Sequence, residues 1–575
     1  MADYQVHEYD VLVIGAGGAG LRAAIESATL GAKTAVVCKS LLGKAHTVMA
    51  EGGMAAAMGN VDKDDNWQVH FRDTVLGGKY MGNWRMQQLH AQESADRALE
   101  LEKWGAVFDR TPEGKINQRA FGGHTYKRLA HVGDRTGLEM IRTLQDKAVA
   151  QGIDVFMECT VVDLLTDGGR VVGAFAYWRE TGKFIVFKAR SVVMATGGIG
   201  KMFRVTSNSW EYTADGHALA MRAGAELIDM EFVQFHPTGM VWPPGVKGIL
   251  VTEAVRGEGG LLKNSKGERF MEKYDPKRME LSTRDLVAKS IYTEVKEGRG
   301  TEHGGVWLDI SHKPAEYIKK KLPSMYHQFK ELADVDITKE PMEIGPTMHY
   351  IMGGIRVTPE DGASTVAGLY ACGECSGGMH GGNRLGGNSL SDLVVFGKRA
   401  GEGAAKFAKE NRGGSRVDEA QVKRIEDNLV RPFASNARHT PYDVHFELQD
   451  MMSDNVGIMR TGEDIKKAIA SFPGMNEKLR TSRVEGSRMF NPGWHLWADM
   501  QNMLLVAEVV AKAALQREES RGAHTRLDFP KTDTGGYWES VNSRATIENG
   551  AVTVGVFEKP KMPGELKSLV DGESK

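Results

Sequence analysis

Cysteine is scarce: four in 575 residues, too few for a secreted fold built on disulfides. No run of about 20 uncharged apolar residues occurs, the length a helix needs to cross a bilayer. The best stretch, Met503 to Leu515, is broken by Glu508 and Lys512. The N-terminus has no basic segment followed by an apolar one, so no cleaved leader is expected. Neither sign of charge is in excess: 73 Lys+Arg face 75 Asp+Glu, a net charge of −2. Nucleic-acid binders usually carry a basic surplus or stripe, so nucleic acid is not an expected partner. Cys372-Gly373-Glu374-Cys375 is a single C-x-x-C. Without a second one it is not a zinc or iron–sulfur framework, and no metal site is expected.

Glycine is abundant instead, at 68 residues, and it clusters in short runs. Such runs mark places where backbone turns tightly or approaches a large ligand. The length predicts two to four domains. Tyr9 to Ile14 reads as a buried strand, Leu21 to Leu30 as a helix and Thr34 to Cys38 as a second strand. Between the first two lies Gly15-Ala16-Gly17-Gly18-Ala19-Gly20, a G-x-G-x-x-G in its strand–turn–helix setting. Gly15 permits the turn, Gly17 lets the backbone approach a pyrophosphate, and Gly20 lets helix pack on strand. The helix N-terminus then presents free N–H groups to the phosphates. The acid that usually ends the second strand is missing, and Cys38-Lys39-Ser40 stands there. A resident cofactor with other ribose contacts is therefore expected rather than a diffusible NAD.

Two more strand–glycine turns follow, at Ala195-Thr196-Gly197-Gly198 and at Gly368 to Glu374. This recurrence predicts an α/β fold: a two-lobed, Rossmann-like FAD-binding domain in two parts, 1–233 and 347–415. A capping domain, 234–346, is inserted between them. Helical patterns at Val422 to Val430, Glu463 to Ile469 and Trp497 to Arg517 predict a helical domain over 416–530. A small C-terminal domain, 531–575, would hold strands at Ser543 to Glu548 and Ala551 to Glu558.

The segment Ala45-His46-Thr47-Val48-Met49-Ala50-Glu51-Gly52-Gly53 follows the second strand. A lone histidine is more often a surface residue, but these glycines let a cofactor come close. Further along stand Phe235-His236-Pro237-Thr238-Gly239, Thr252-Glu253-Ala254-Val255-Arg256-Gly257-Glu258-Gly259-Gly260 and Ser282-Thr283-Arg284-Asp285. His349 to Gly354, Asn383 to Leu390 and Glu519 to Arg526 complete the series. Together these resemble the flavoprotein subunits of succinate dehydrogenase and fumarate reductase of the bacterial type, in order, over about residues 9 to 530.

The resemblance implies roles residue by residue. FAD would be bound covalently through His46, with contacts from Gly15, Gly17, Gly18, Gly20, Lys39, Thr47, Gly52 and Gly53. Ala195, Thr196, Gly197, Asp215, Glu374, Arg384, Asn388, Ser389 and Leu390 would add to them. His236, Thr252, His349 and Arg384 would hold the carboxylates of succinate or fumarate, with Phe121 packed against the substrate. Such a dianion needs several converging donors, and arginine suits bidentate capture. Hydride would pass at flavin N5, Arg284 would be the acid/base, and Glu253 and Arg256 would relay its proton. Arginine is an unusual acid, with an ordinary pKa above about 12. Electrons would leave to an iron–sulfur subunit, then reach quinone through a membrane anchor subunit. The chain would then sit on the cytoplasmic face of the membrane through those partners. L-Aspartate oxidase, a soluble fumarate reductase and a flavin-dependent RNA-modifying protein are the alternatives. The balanced charge counts against the last.

Overall fold

A computed structural model describes residues 4–413 and 416–572. The expected boundary at 415 falls outside the described residues. Among the described residues the main sheet has seven strands. They run Asp154–Phe156, Thr34–Val37, Tyr4–Ile14, Phe184–Met194, Arg170–Trp178 and Cys159–Asp167, and Leu369–Ala371 pairs beside Phe184–Met194. Tyr4–Ile14 is parallel to both its neighbours, as a helical crossover requires.

The first strand starts five residues before the expected Tyr9, pairing Tyr4 with Phe184. The early residues alternate between half-buried and exposed, so no apolar run marks them. The first helix is Gly18–Thr29, and its opening glycines hide its start because glycine is a poor helix former. Val11, Leu12 and Val13 are wholly buried, since helices cover the sheet. One of these is Asn388–Glu410. Its Gly397 and Gly401 sit so close to Gly18–Thr29 that a Cβ would meet the Ala19 and Ala23 carbonyls at 2.7 and 2.3 Å. These small residues, one turn apart, let the two helices touch.

The capping region has its own four-stranded antiparallel sheet, ordered Val233–Met240, Met342–Ile351, Val306–Asp309 and Leu261–Lys263. The chain enters on the first of these strands and leaves on the second. The expected limits, 234 and 346, fall inside this pair. Val251, Leu262, Val287, Ile291 and Leu308 belong to an apolar core of its own. Helix Arg284–Glu294 packs on this sheet.

The helical region contains Glu419–Val430, Pro441–Asn455, Gly462–Thr481 and Pro492–Gln516. Trp494 and Trp497 are buried, and their indole N–H groups donate to the Leu429 and Leu479 carbonyls at 2.7 and 3.0 Å. Its core is continuous with that of the main sheet. The C-terminal hairpin, Val541–Glu548 and Ala551–Glu558, is not free-standing. It extends a sheet through Leu227–Ile228 and Gly354–Ile355. Helix Gly564–Asp571 seats Leu566 and Val570 beside Phe71 and Val75.

Candidate active site

A long cleft runs from the fingerprint turn to the capping sheet and encloses about 1730 Å³ with its open mouth. Gly15, Gly17 and Gly18 line one end, with Lys39, His46, Thr47, Gly52 and Gly53. Ala195, Thr196, Gly197, Asp215, Glu374, Arg384, Ser389 and Leu390 also line it. At the capping end stand Phe121, His236, Thr252, Glu253, Arg284 and His349.

The fingerprint turn is built for a bulky ligand. Gly15 has φ +114°, and a Cβ there would meet the Ala195 carbonyl at 2.1 Å. A Cβ on Gly17 would meet nothing closer than Thr47 Oγ1 at 3.5 Å, so the space beside it is open. A Cβ on Gly198 would strike Glu374 Oε1 at 2.2 Å. Glu374 accepts from the Ile351 N–H at 3.1 Å, and burial pushes its carboxyl up to about 8. His46 Nδ1 is buried without a hydrogen-bond partner, and burial pushes the ring down to about 4. Open glycine backbone, an orphaned imidazole nitrogen and a buried carboxyl fit FAD.

Two expected cofactor residues do not reach the cleft wall. Gly20 packs instead: a Cβ there would meet the Gly15 carbonyl at 1.9 Å, so its smallness holds helix against turn. The Asn388 side chain turns away to His70 Nε2 at 2.9 Å and Thr74 Oγ1 at 3.1 Å. Helix Asn388–Glu410 begins there, which leaves its neighbours Ser389 and Leu390 on the cleft. Lys39 is not free for a phosphate. Its ammonium contacts Asp215 at 2.7 Å and Asp499 at 2.6 Å. Burial opposes that charge, but the two carboxylates outweigh it and hold Lys39 above its usual range.

At the capping end, Arg284 Nε donates to Glu253 Oε2 at 2.8 Å. Arg256 lies 3.5 Å from the same oxygen, behind it and off the cleft wall. The Gly122 N–H donates to Glu253 Oε1 at 3.2 Å. Burial would raise Glu253, yet the two guanidiniums hold its carboxyl below the usual range. Burial pulls Arg256 below its usual range, against the pull of Glu253. Arg284 also sits over the Phe121 ring, 5.8 Å from its centroid.

Strands Val233–Met240 and Met342–Ile351 pair with bulges near His236, and their register brings His236 and His349 to 5.3 Å between ring centroids. Bulges of this kind re-aim side chains beside active sites. Burial, then neighbouring arginines, keeps both rings neutral. Arg384 donates to Ser389 Oγ at 2.9 Å and Gln234 Oε1 at 3.1 Å. Burial and Arg284 push it down to about 9. Arg384 Nε and Arg284 Nη1 are buried with no partner in the protein, so unsatisfied donors face a cleft rich in positive charge.

Several residues lining the cleft, or packed behind it like Gln234, escaped sequence reasoning. Gln234 bridges Arg384, accepting from its guanidinium and donating to its carbonyl at 2.9 Å. Ser207 holds His349 Nδ1 at 2.8 Å. Tyr212 packs edge-on against His46 at 4.8 Å between centroids. Glu51 lines the cleft, and burial pushes its carboxyl up to about 8. Gln234 and Glu51 sit inside or beside quoted motifs, where adjacency was a usable signal. Ser207 and Tyr212 carried none.

The fold and cleft define an FAD-binding flavoprotein oxidoreductase. The family described as "FAD binding domain" matches residues 10–390, and "Fumarate reductase flavoprotein C-term" matches 445–560. The chain is 46% identical to a fumarate reductase (CoM/CoB) subunit of Methanothermobacter marburgensis, over 92% of this chain and 96% of that one. It is 40% identical to the succinate dehydrogenase flavoprotein subunit of Coxiella burnetii, over 93% and 94%. The solved structure of Mycobacterium smegmatis Sdh1 in complex with UQ1 superposes with a TM-score of 0.90 at 57% identity, over 98% and 96%. The chain belongs to the succinate dehydrogenase/fumarate reductase flavoprotein family.

Proposed function

We propose that this chain interconverts succinate and fumarate, with FAD bound covalently through His46. The observation that carries the reading is the Arg284–Glu253–Arg256 array opening on a cleft of converging cationic and neutral donors. Bound FAD would supply a two-electron donor and acceptor. The residues lining the fingerprint end would hold it, and His46 has a neutral ring with an unpartnered nitrogen for attachment.

Each carboxylate of the substrate must be desolvated, which is tolerable only against several charged donors. Arg384 and His349 would take them from one side, His236 and Thr252 from the other. Phe121 would exclude water above the substrate. Arg284 would give or take the proton at one substrate carbon. Glu253 and Arg256 would carry that proton onward, because a buried arginine must be reset through partners of matched affinity.

Electrons would pass to an iron–sulfur subunit, then reach quinone through a membrane anchor. The chain would then sit peripherally on the cytoplasmic face of the membrane. No helix among the described residues is long and apolar enough to cross a membrane. The M. smegmatis relative with UQ1 supports the quinone partner.

The test is flavin fluorescence of the protein after a denaturing gel in acid, with succinate-dependent dye reduction on the native protein. A fluorescent band and succinate turnover are expected. A dark band with aspartate oxidation and no succinate turnover would replace this reading with L-aspartate oxidase.

A further inference from the structure

The segment Glu519 to Arg526 takes no part in the chemistry above, yet it lies between the two elements that carry the cleft's arginines. On one side, Lys289 Nζ donates to the Gly522 carbonyl at 2.9 Å. Lys289 belongs to capping helix Arg284–Glu294, whose first residue is Arg284. On the other side, the Ala523 N–H donates to the Gly382 carbonyl at 2.9 Å, two residues before Arg384. Gly522 has φ +54°, and a Cβ there would strike the Gly382 carbonyl at 2.2 Å. The two backbones are therefore in direct contact, and only glycine permits it.

The segment is itself anchored. Arg521 Nη1 donates to the Lys79 carbonyl at 3.2 Å, and Arg521 Nε to Glu519 at 2.8 Å. Arg460 Nη1 meets His524 Nδ1 at 2.9 Å. Arg526 Nη1 donates to the Ala514 and Leu515 carbonyls at 3.0 and 2.9 Å. These side chains are buried, so the Gly522 carbonyl is a fixed point.

We propose that Lys289 is a positioning residue: its bond to Gly522 docks the capping helix on the backbone that seats Arg384, and so sets the separation of Arg284 from Arg384. The inference rests on the dicarboxylate reading of the cleft. A ligand held from both sides binds only when the capping side is seated, so its apparent affinity scales with the seated fraction. A misplacement near 1 Å at the reacting group costs about a hundredfold in rate.

The test compares holoenzyme of wild type, Lys289→Met and Lys289→Arg, with malonate as the dicarboxylate probe. Lys289→Met is expected to lower kcat with succinate by about 10–100-fold and to weaken malonate binding, read from flavin absorbance, by about tenfold. Flavin content should stay at the wild-type value; the thermal midpoint should fall, because buried Asp285 loses the charge of Lys289, and Lys289→Arg should restore turnover and malonate binding. A variant within twofold of wild type in both readouts overturns the proposal. So does a loss that arginine does not rescue. Hydrogen exchange on wild-type holoenzyme needs no variant to fold. Malonate should protect 284–294 and 519–526 together, and protection of the first without the second overturns the proposal. Wild type that neither oxidises succinate nor binds malonate would overturn the reading of the cleft itself, and the inference with it. A normal wild type beside an unperturbed Lys289→Met overturns the positioning role alone.

Discussion

Arg284 donates through Nε to the Glu253 carboxylate at 2.8 Å, which joins a helix of the capping region to the turn that follows Thr252. The contact orients the guanidinium while leaving its Nη1 free of protein partners. An arginine that exchanged a proton with the substrate, as proposed, would need such a neighbour. Removing the guanidinium, as in Arg284→Ala, should lower turnover with succinate by about 10³-fold or more while the flavin absorbance stays. Glu253→Gln should keep a hydrogen bond but lose the charge, and lower kcat by about 10²-fold. Steady-state assays normalised to bound flavin measure both.

His46 carries the second prediction. His46→Ser should leave no fluorescent band on an acid gel, while flavin released by denaturation appears in the supernatant. Loss of an electron-withdrawing link should also lower the flavin potential, so succinate oxidation should suffer more than fumarate reduction. Both directions are read with artificial dyes on the same preparation.

Arg384 should not tolerate lysine. Its planar group reaches Ser389 and Gln234 at once, which an ammonium cannot match. Arg384→Lys should raise KM for succinate by about tenfold, or about 1.4 kcal/mol. Competitive titration with malonate should give the same factor.

Gly15→Ala tests the turn. A Cβ would meet the Ala195 carbonyl at 2.1 Å, at φ +114°. Strain alone costs about 1–3 kcal/mol, and backbone cannot move aside as a side chain can. The variant should purify with little flavin, as the absorbance ratio would show.

Acid should destabilise the protein through its buried histidines. Burial pushes His124 and His217 down to about 4, while in the unfolded chain such rings protonate near 6.5. Between those values the unfolded state binds more protons, so the stability present above pH ~6.5 falls progressively as pH drops toward about 4. His217 is wholly buried, and neither ring nitrogen has a partner. His217→Leu should therefore lessen the fall in thermal midpoint across this window.

Local spacing announced the fingerprint turn, and Gly20 must be glycine for a contact with Gly15 five residues before it, whereas Gly15 itself must be glycine because of the distant Ala195 carbonyl. It also announced the Glu253/Arg256 pair, which sits i to i+3 on a short helix. Asn388 illustrates the limit. Its motif placed it beside the cofactor, but whether a residue opening a helix faces the cleft depends on how the helix is rotated. Packing of Gly397 and Gly401 on the fingerprint helix is a tertiary contact, and it helps set that rotation.

The amino-acid sequence by itself determined the class of cofactor and the order of the cleft-forming segments. The first follows from the spacing of the fingerprint glycines, the second from the resemblance carried by the series of motifs along the chain. Only the tertiary structure decided that Lys39 is neutralised by Asp499, 460 residues away. It alone seated Arg384 on Gln234 and joined Lys289 to Gly522. Those contacts form when distant segments bury charge together, and the need for a partner in a low-dielectric interior decides which ones meet.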